Sequence, residues 1–169
     1  VFDYEGGIRK AVHRLKFSES PHNAAVLVDV SYPLLKNLLN EHSSCMPYTK
    51  YDIIIPVPLH PKRKRQRGYN QSELLASRLA FYMKIPMLKG VLVKTVNAPP
   101  QSQLTRGERI RNLIGVFHVK KPNLVKQRRI LLVDDIMTTG STLEQCAKAL
   151  ADAGAIKIDA YVVALRRRL

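Results

Sequence analysis

Apolar residues recur at helical spacing in the first fifty positions and then gather into short continuous runs. Across 7–17, Ile8, Val12, Leu15 and Phe17 alternate with Arg9, Lys10, Arg14 and Lys16, which predicts an amphipathic helix. A second helical pattern covers 23–42 through Ala24, Leu27, Val28, Leu34, Leu35, Leu38 and Leu39. Ser31 to Pro33 is expected to interrupt it, because an interior proline removes a donor and clashes with the preceding turn. Tyr51 to Val57 is a β-branched run bounded by prolines and predicts a buried strand. A basic loop follows, and Asn70 or Ser72 then caps a helix running to Tyr82. Strands are predicted at 91–96 and 116–119, separated by a polar loop over 97–103 and a short helix over 106–112. A strand at 129–134, a helix at 142–153 stopped by Gly154, and a strand at 157–165 complete the pattern.

The second half thus alternates strand and helix, which argues for an α/β fold with a mostly parallel sheet flanked by helices. Ile53-Ile54-Ile55 and Ile130-Leu131-Leu132-Val133 are runs of the kind found in strands covered on both faces. The sequence divides into a helical amino-terminal segment over 1–50, read as a lid or hood without strand signals, and a core over 51–169.

Residues 130–142 carry the most specific chemistry. An apolar strand delivers Asp134 and Asp135 to its carboxyl end, and a hydroxyl-rich turn around Gly140 then opens onto a helix. Neighbouring strand side chains point to opposite faces, so one carboxylate can meet a ligand while the other orients backbone or water-coordinated magnesium. Thr138, Thr139, Ser141 and Thr142 offer donors, Gly140 lets the backbone approach closely, and the helix N-terminus favours an anion. This is a geometry for a phosphate beside a polyol.

Charge changes the picture next. Twenty-eight lysines and arginines against thirteen acids give a formal net charge of +15 and a pI near 10.1. The excess clusters at Lys62, Arg63, Lys64, Arg65 and Arg67, at Lys120-Lys121 with Lys126 to Arg129, and at Arg166 to Arg168. Such clusters are the footprint of a polyanion, single-stranded DNA among them. They also suit a merely basic surface, and the absence of Trp weakens the strand-stacking reading. Cys45 and Cys146 are far apart and lack Cys-x-x-Cys spacing, so they read as thiols in a reducing cytoplasm, and no metal site is assigned in this chain. No run of about 18 apolar residues predicts a membrane span.

The string from Val133 to Thr142 resembles the 5-phosphoribosyl-1-pyrophosphate (PRPP) motif of type I phosphoribosyltransferases. Pro56-Val57-Pro58-Leu59-His60, Arg67-Gly68-Tyr69-Asn70-Gln71, Gln101-x-x-Leu104, Arg109-x-x-Asn112 and Gly115-Val116-Phe117 resemble the ComF competence-protein branch of that superfamily. Tyr4-x-Gly6, Ile8-Arg9 and Lys16 fit it too. The resemblance implies a type I phosphoribosyltransferase fold and a magnesium-assisted PRPP site. In it Asp134 and Asp135 meet the ribose hydroxyls, and Thr138 to Thr142 hold the 5-phosphate. Leu59, His60 and Arg67 face the pyrophosphate, although His60 has no identifiable acid partner. Arg106, Arg109 and Arg111 belong to a mobile flap. It further implies a role in natural transformation, with competence proteins as partners.

Two departures qualify the expectation. Purine-salvage relatives carry an acid where Thr138 stands, so hypoxanthine or guanine salvage is not expected. Many ComF relatives carry an amino-terminal cysteine-rich zinc ribbon, which these residues lack, and whether one precedes Val1 stays open; no carboxyl-terminal hood is expected after Leu169, so the acceptor stays open too. A non-catalytic single-stranded DNA-binding or adaptor module that keeps the fold is the alternative, with Lys62, Arg63, Lys64 and Arg65 as its candidate contacts.

Overall fold

The computed structural model describes residues 1–16, 20–41, 50–95 and 115–166. In chain order the elements are β1 (Phe2–Asp3), α1 (Gly6–Lys16), α2 (Asn23–Glu41), β2 (Ile53–Pro56), α3 (Pro61–Arg67), α4 (Gln71–Met83), β3 (Leu92–Lys94), β4 (Phe117–Val119), β5 (Arg129–Met137), α5 (Ser141–Asp152) and β6 (Lys157–Leu165). A 3-10 turn, Pro122–Leu124, precedes β5.

Four strands form a parallel sheet in the order β1-β6-β5-β2, with Ile53 opposite Ile130 and Val133 opposite Tyr161. β3 and β4 form a separate antiparallel pair. Alternation along the central strands explains their unbroken apolar runs. Ile54, Leu131, Val133, Tyr161 and Val163 pack into one core with α1, α2 and α4. Ile53, Ile55, Ile130 and Leu132 pack into a second core with Leu143, Cys146 and Leu150 of α5 and with Val91, Leu92, Val116 and Phe117 around the β3–β4 pair. The sheet is therefore covered on both faces, as expected of a parallel one.

Four local expectations need correction. The first fifty residues do contain a strand: β1 pairs with β6, Phe2 opposite Ala164. Two residues are too few to show a periodicity. Pro33 lies inside a continuous nineteen-residue α2 and does not interrupt it. Leu27, Val28, Ser31 and Leu39 are buried along this helix, and the Ser31 hydroxyl hydrogen-bonds Leu27 O at 2.7 Å and shares a buried hydrogen bond with Tyr161. Tertiary anchoring on both sides of the proline outweighs the local defect. The basic loop after β2 is the helix α3, and β5 runs to Met137 rather than ending at the acid pair. Cys45 and the helix expected over 106–112 lie outside the described residues, and β3 is described as Leu92–Lys94.

Candidate functional site

The site grows from the carboxyl ends of β2 and β5. Asp134 and Asp135 sit inside β5 and are nearly buried, at 8% and 3% exposure. The pleat sends them to different partners. The Ser72 hydroxyl donates to Asp134 Oδ1 at 2.9 Å, and so does the backbone N–H of Asp135, also at 2.9 Å. The Lys16 ammonium of α1 lies 3.1 Å from Asp135 Oδ2. That oxygen accepts no hydrogen bond with good geometry, so its charge is compensated without being directionally satisfied. Burial, then the neighbouring Asp135 charge, pushes the Asp134 carboxyl up to about 7, while the Asp135 N–H, Ser72 and Lys16 oppose the rise.

The Arg67-Gly68-Tyr69-Asn70-Gln71 segment fixes this geometry. Gly68 closes α3 at φ 85°, a left-handed conformation that favours glycine. The Tyr69 hydroxyl donates to Leu15 O at 2.6 Å and ties α1 to the site. Asn70 caps α4 by accepting from Ser72 N–H at 3.1 Å, and its Nδ2 donates to Val57 O at 2.9 Å. Arg67 Nη1 donates to Gln71 Oε1, and burial lowers the pKa of this half-buried arginine while Asp135 opposes the fall.

The hydroxyl turn behaves as a cradle. Asp134 and Thr138, Thr139, Gly140, Ser141 and Thr142 line a concavity of about 50 Å³. Thr139 Oγ1 and Ser141 Oγ are 3.0 Å apart. Gly140 has φ 79°, and a Cβ there would meet nothing closer than Met137 Sδ at 3.8 Å. The left-handed backbone angle of the turn therefore favours glycine there, and no protein neighbour crowds the position. α5 starts at Ser141 after the N-cap Gly140, which has no capping side chain, and Ser141 N–H reaches Thr139 Oγ1 at 3.5 Å; the start of a helix is a place that favours an anion.

The remaining expected residues fall in two places. His60 is the N-cap of α3, its Nδ1 accepting from Lys62 N–H at 3.2 Å, and Leu59 lies just before it. Lys62, Arg63, Lys64 and Arg65 follow on α3, with Lys64 paired to Glu73 at 2.8 Å. Arg106, Arg109 and Arg111 lie outside the described residues. Sequence reading missed Lys16 and Ser72 as partners of the acids, and Lys94 near them. The alternating cations of α1 and the cap position of Ser72 were visible, but their pairing with β5 spans the fold.

Among the described residues no cluster of three or more His, Cys, Asp and Glu side chains could hold a metal alone. Magnesium does not need one, because it binds through one or two carboxylates plus waters and substrate phosphates. The under-satisfied Asp135 Oδ2 and the neighbouring Asp134 fit that donor set.

This fold, with an acid pair inside a parallel strand and a hydroxyl cradle opening onto a helix, defines a phosphoribosyltransferase-type protein. Residues 68–169 match the family described as Phosphoribosyl transferase domain. The chain is 32% identical to Competence protein F of Haemophilus influenzae, covering 90% of this chain and 66% of that one. It is also 32% identical to DNA utilization protein YhgH of Escherichia coli strain K12, covering 95% and 68%, and to Competence protein ComFC of Bacillus subtilis, covering 91% and 58%. It therefore belongs to the ComF family of the type I phosphoribosyltransferase superfamily, and spans about two thirds or less of these relatives' length. A solved adenine phosphoribosyltransferase shares the fold, with a TM-score of 0.54 at 15% identity over 88% of this chain and 73% of that one. No helix among the described residues is long and apolar enough to cross a membrane.

Proposed function

We propose that this chain binds PRPP together with magnesium, transfers its phosphoribosyl group to an acceptor, and serves DNA uptake in natural transformation from the cytoplasm. The observation that carries the reading is the junction of Asp134 and Asp135 with the Thr138–Thr142 cradle at one end of the sheet. The cradle and the N-terminus of α5 receive the 5-phosphate through N–H and hydroxyl donors. The acids accept from the ribose hydroxyls. Backbone donors around Leu59 and His60, with Arg67, meet the pyrophosphate through charge-assisted hydrogen bonds, and Arg106, Arg109 and Arg111 are further candidates for that charge. Asp134 and Asp135 would hold magnesium together with the substrate, and the ion would supply positive charge to the diphosphate. In the transfer the C1–O bond to pyrophosphate breaks, the acceptor forms a bond to C1, and the acceptor loses a proton. Residues 1–50 supply the hood, anchored by Lys16 and by the Tyr69 hydrogen bond. The names of the relatives support the DNA-uptake setting, with competence proteins as partners.

Titration calorimetry with PRPP and magnesium is the direct test. Binding is expected in the wild type and lost in Asp134→Ala/Asp135→Ala with the fold retained. Absence of wild-type binding at millimolar ligand, or unchanged affinity in the double variant, defeats the assignment.

A second reading is favoured by the +15 charge and by α3, whose exposed cations follow one another on a single helix. On it the chain binds single-stranded DNA, with or without turnover. The affinity then falls with added salt, since each phosphate contact releases counterions.

A further inference from the structure

A groove of about 560 Å³ lies beside the PRPP site, within the range of about 300–1,000 Å³ typical of small-ligand pockets. Its apolar surface comes from Pro56, Pro58, Leu59, Leu92 and Val93. Three cations stand among these residues: Lys64, Arg65 and Lys94. Lys64 is paired with Glu73, but Arg65 has no ion pair or hydrogen bond among the described residues. Lys94 has no carboxylate at ion-pair distance among them either; its ammonium lies 5.5 Å from the centre of the Phe117 ring. Burial, then the neighbouring Arg63, lowers the Lys94 pKa, and an anion beside it would oppose that shift.

An apolar slot with unpaired cations at its edge suits a ligand that is flat and apolar at one end and anionic at the other. A nucleobase with its phosphate has that chemistry. In a fatty anion the charge is confined to one end, whereas here cations come from two separate elements, α3 and β3. A strand of nucleic acid carries a phosphate on either side of each base.

We infer that this groove holds one nucleobase of a single strand, with the flanking phosphates on Arg65 and Lys94. The inference rests on the DNA-binding reading above and gives it a place. It separates base capture from the diffuse attraction that +15 charges exert on any polyanion. Pro56, Pro58 and Leu59 at the carboxyl end of β2 line the groove, and Leu59 also belongs to the proposed pyrophosphate loop, so the groove and the sugar-diphosphate site are neighbours.

The test compares labelled single strands of about twelve nucleotides, within the site sizes typical of such proteins, with strands of equal length that lack bases. Fluorescence anisotropy reads the affinity. The wild type is expected to hold the normal strand about tenfold more tightly than the abasic one, a difference of about 1.4 kcal/mol. Val93→Trp, which fills the groove, and Arg65→Glu on the exposed face of α3 should each reduce that ratio to near one. Both should leave PRPP binding unchanged, and the paired Asp134→Ala/Asp135→Ala variant should keep its preference for bases. Equal binding of normal and abasic strands by the wild type overturns the groove while leaving surface DNA binding intact. No binding of either strand overturns both. A preference unchanged in Arg65→Glu and in folded Val93→Trp also overturns the groove. A mononucleotide serves as the second arm: displacement of the strand supports a base held from a strand, whereas saturation by the mononucleotide without strand binding overturns the strand as the occupant and leaves a free nucleotide in its place.

Discussion

At the scale of single residues, Asp134 works against the fold that holds it. Its carboxyl is buried beside Asp135, and its pKa is raised to about 7 from an ordinary value of 3.8. Between those values the native state binds more protons than the unfolded chain, so stability falls as pH rises through that window. Asp134→Asn removes the titration and keeps an oxygen where Ser72 and the Asp135 N–H donate. The variant should therefore melt above the wild type at pH 8 and close to it at pH 4, with a difference at pH 8 on the order of a few kcal/mol. Thermal melts across this range check it, and a variant that melts lower at pH 8 refutes the assignment. Such a carboxyl is costly for stability and suited to binding, because a ligand that favours the ionised acid makes it give up its proton. The sequence singled out both acids but not this tension. Nothing in Val133-Asp134-Asp135 reveals that Ser72 and Lys16 arrive from α4 and α1.

At the scale of elements, the strands were far more legible than α3. β2 and β5 have continuous apolar runs because each contacts a core on both faces, and burial leaves its mark in composition. α3 buries no residue, so Pro61-Lys62-Arg63-Lys64-Arg65-Gln66-Arg67 has no stripe for a periodicity reading to find. Its signals sit at the ends: Pro61 in the first turn and Gly68 just past the last. Those ends also aim the next segment, since the turn at Gly68 delivers Tyr69 to Leu15 and Asn70 to Val57. Gly68→Ala places a Cβ in a left-handed conformation, which costs about 1–2 kcal/mol. Nothing crowds the position, so the loss should be purely conformational. Urea denaturation should give a lower midpoint with an unchanged slope, whereas a changed slope would point to a wider rearrangement of α3.

At the scale of the whole molecule, the amino-terminal helices and the sheet meet through a few long-range contacts that a local pattern cannot encode. β1 pairs with a strand near the other end of the chain, and Lys16 crosses to Asp135. In a chain with fifteen excess positive charges most lysines have no acid to meet, yet this one faces a carboxylate that is 5% exposed. Removing one member of a buried pair strands the other, which costs about 3–5 kcal/mol in fully buried cases. Lys16 is 28% exposed, so water will compensate part of the loss, and about 1–3 kcal/mol is the expected cost of Lys16→Met. Asp135→Asn in the same background removes the stranded charge and should recover most of that stability. The double-mutant cycle, followed by urea denaturation, should therefore show a coupling above about 1 kcal/mol between residues 119 positions apart. Additive effects would mean that α1 is held by Val12 and Leu15 packing and by the Tyr69 hydrogen bond, with the ion pair serving the site and not the fold.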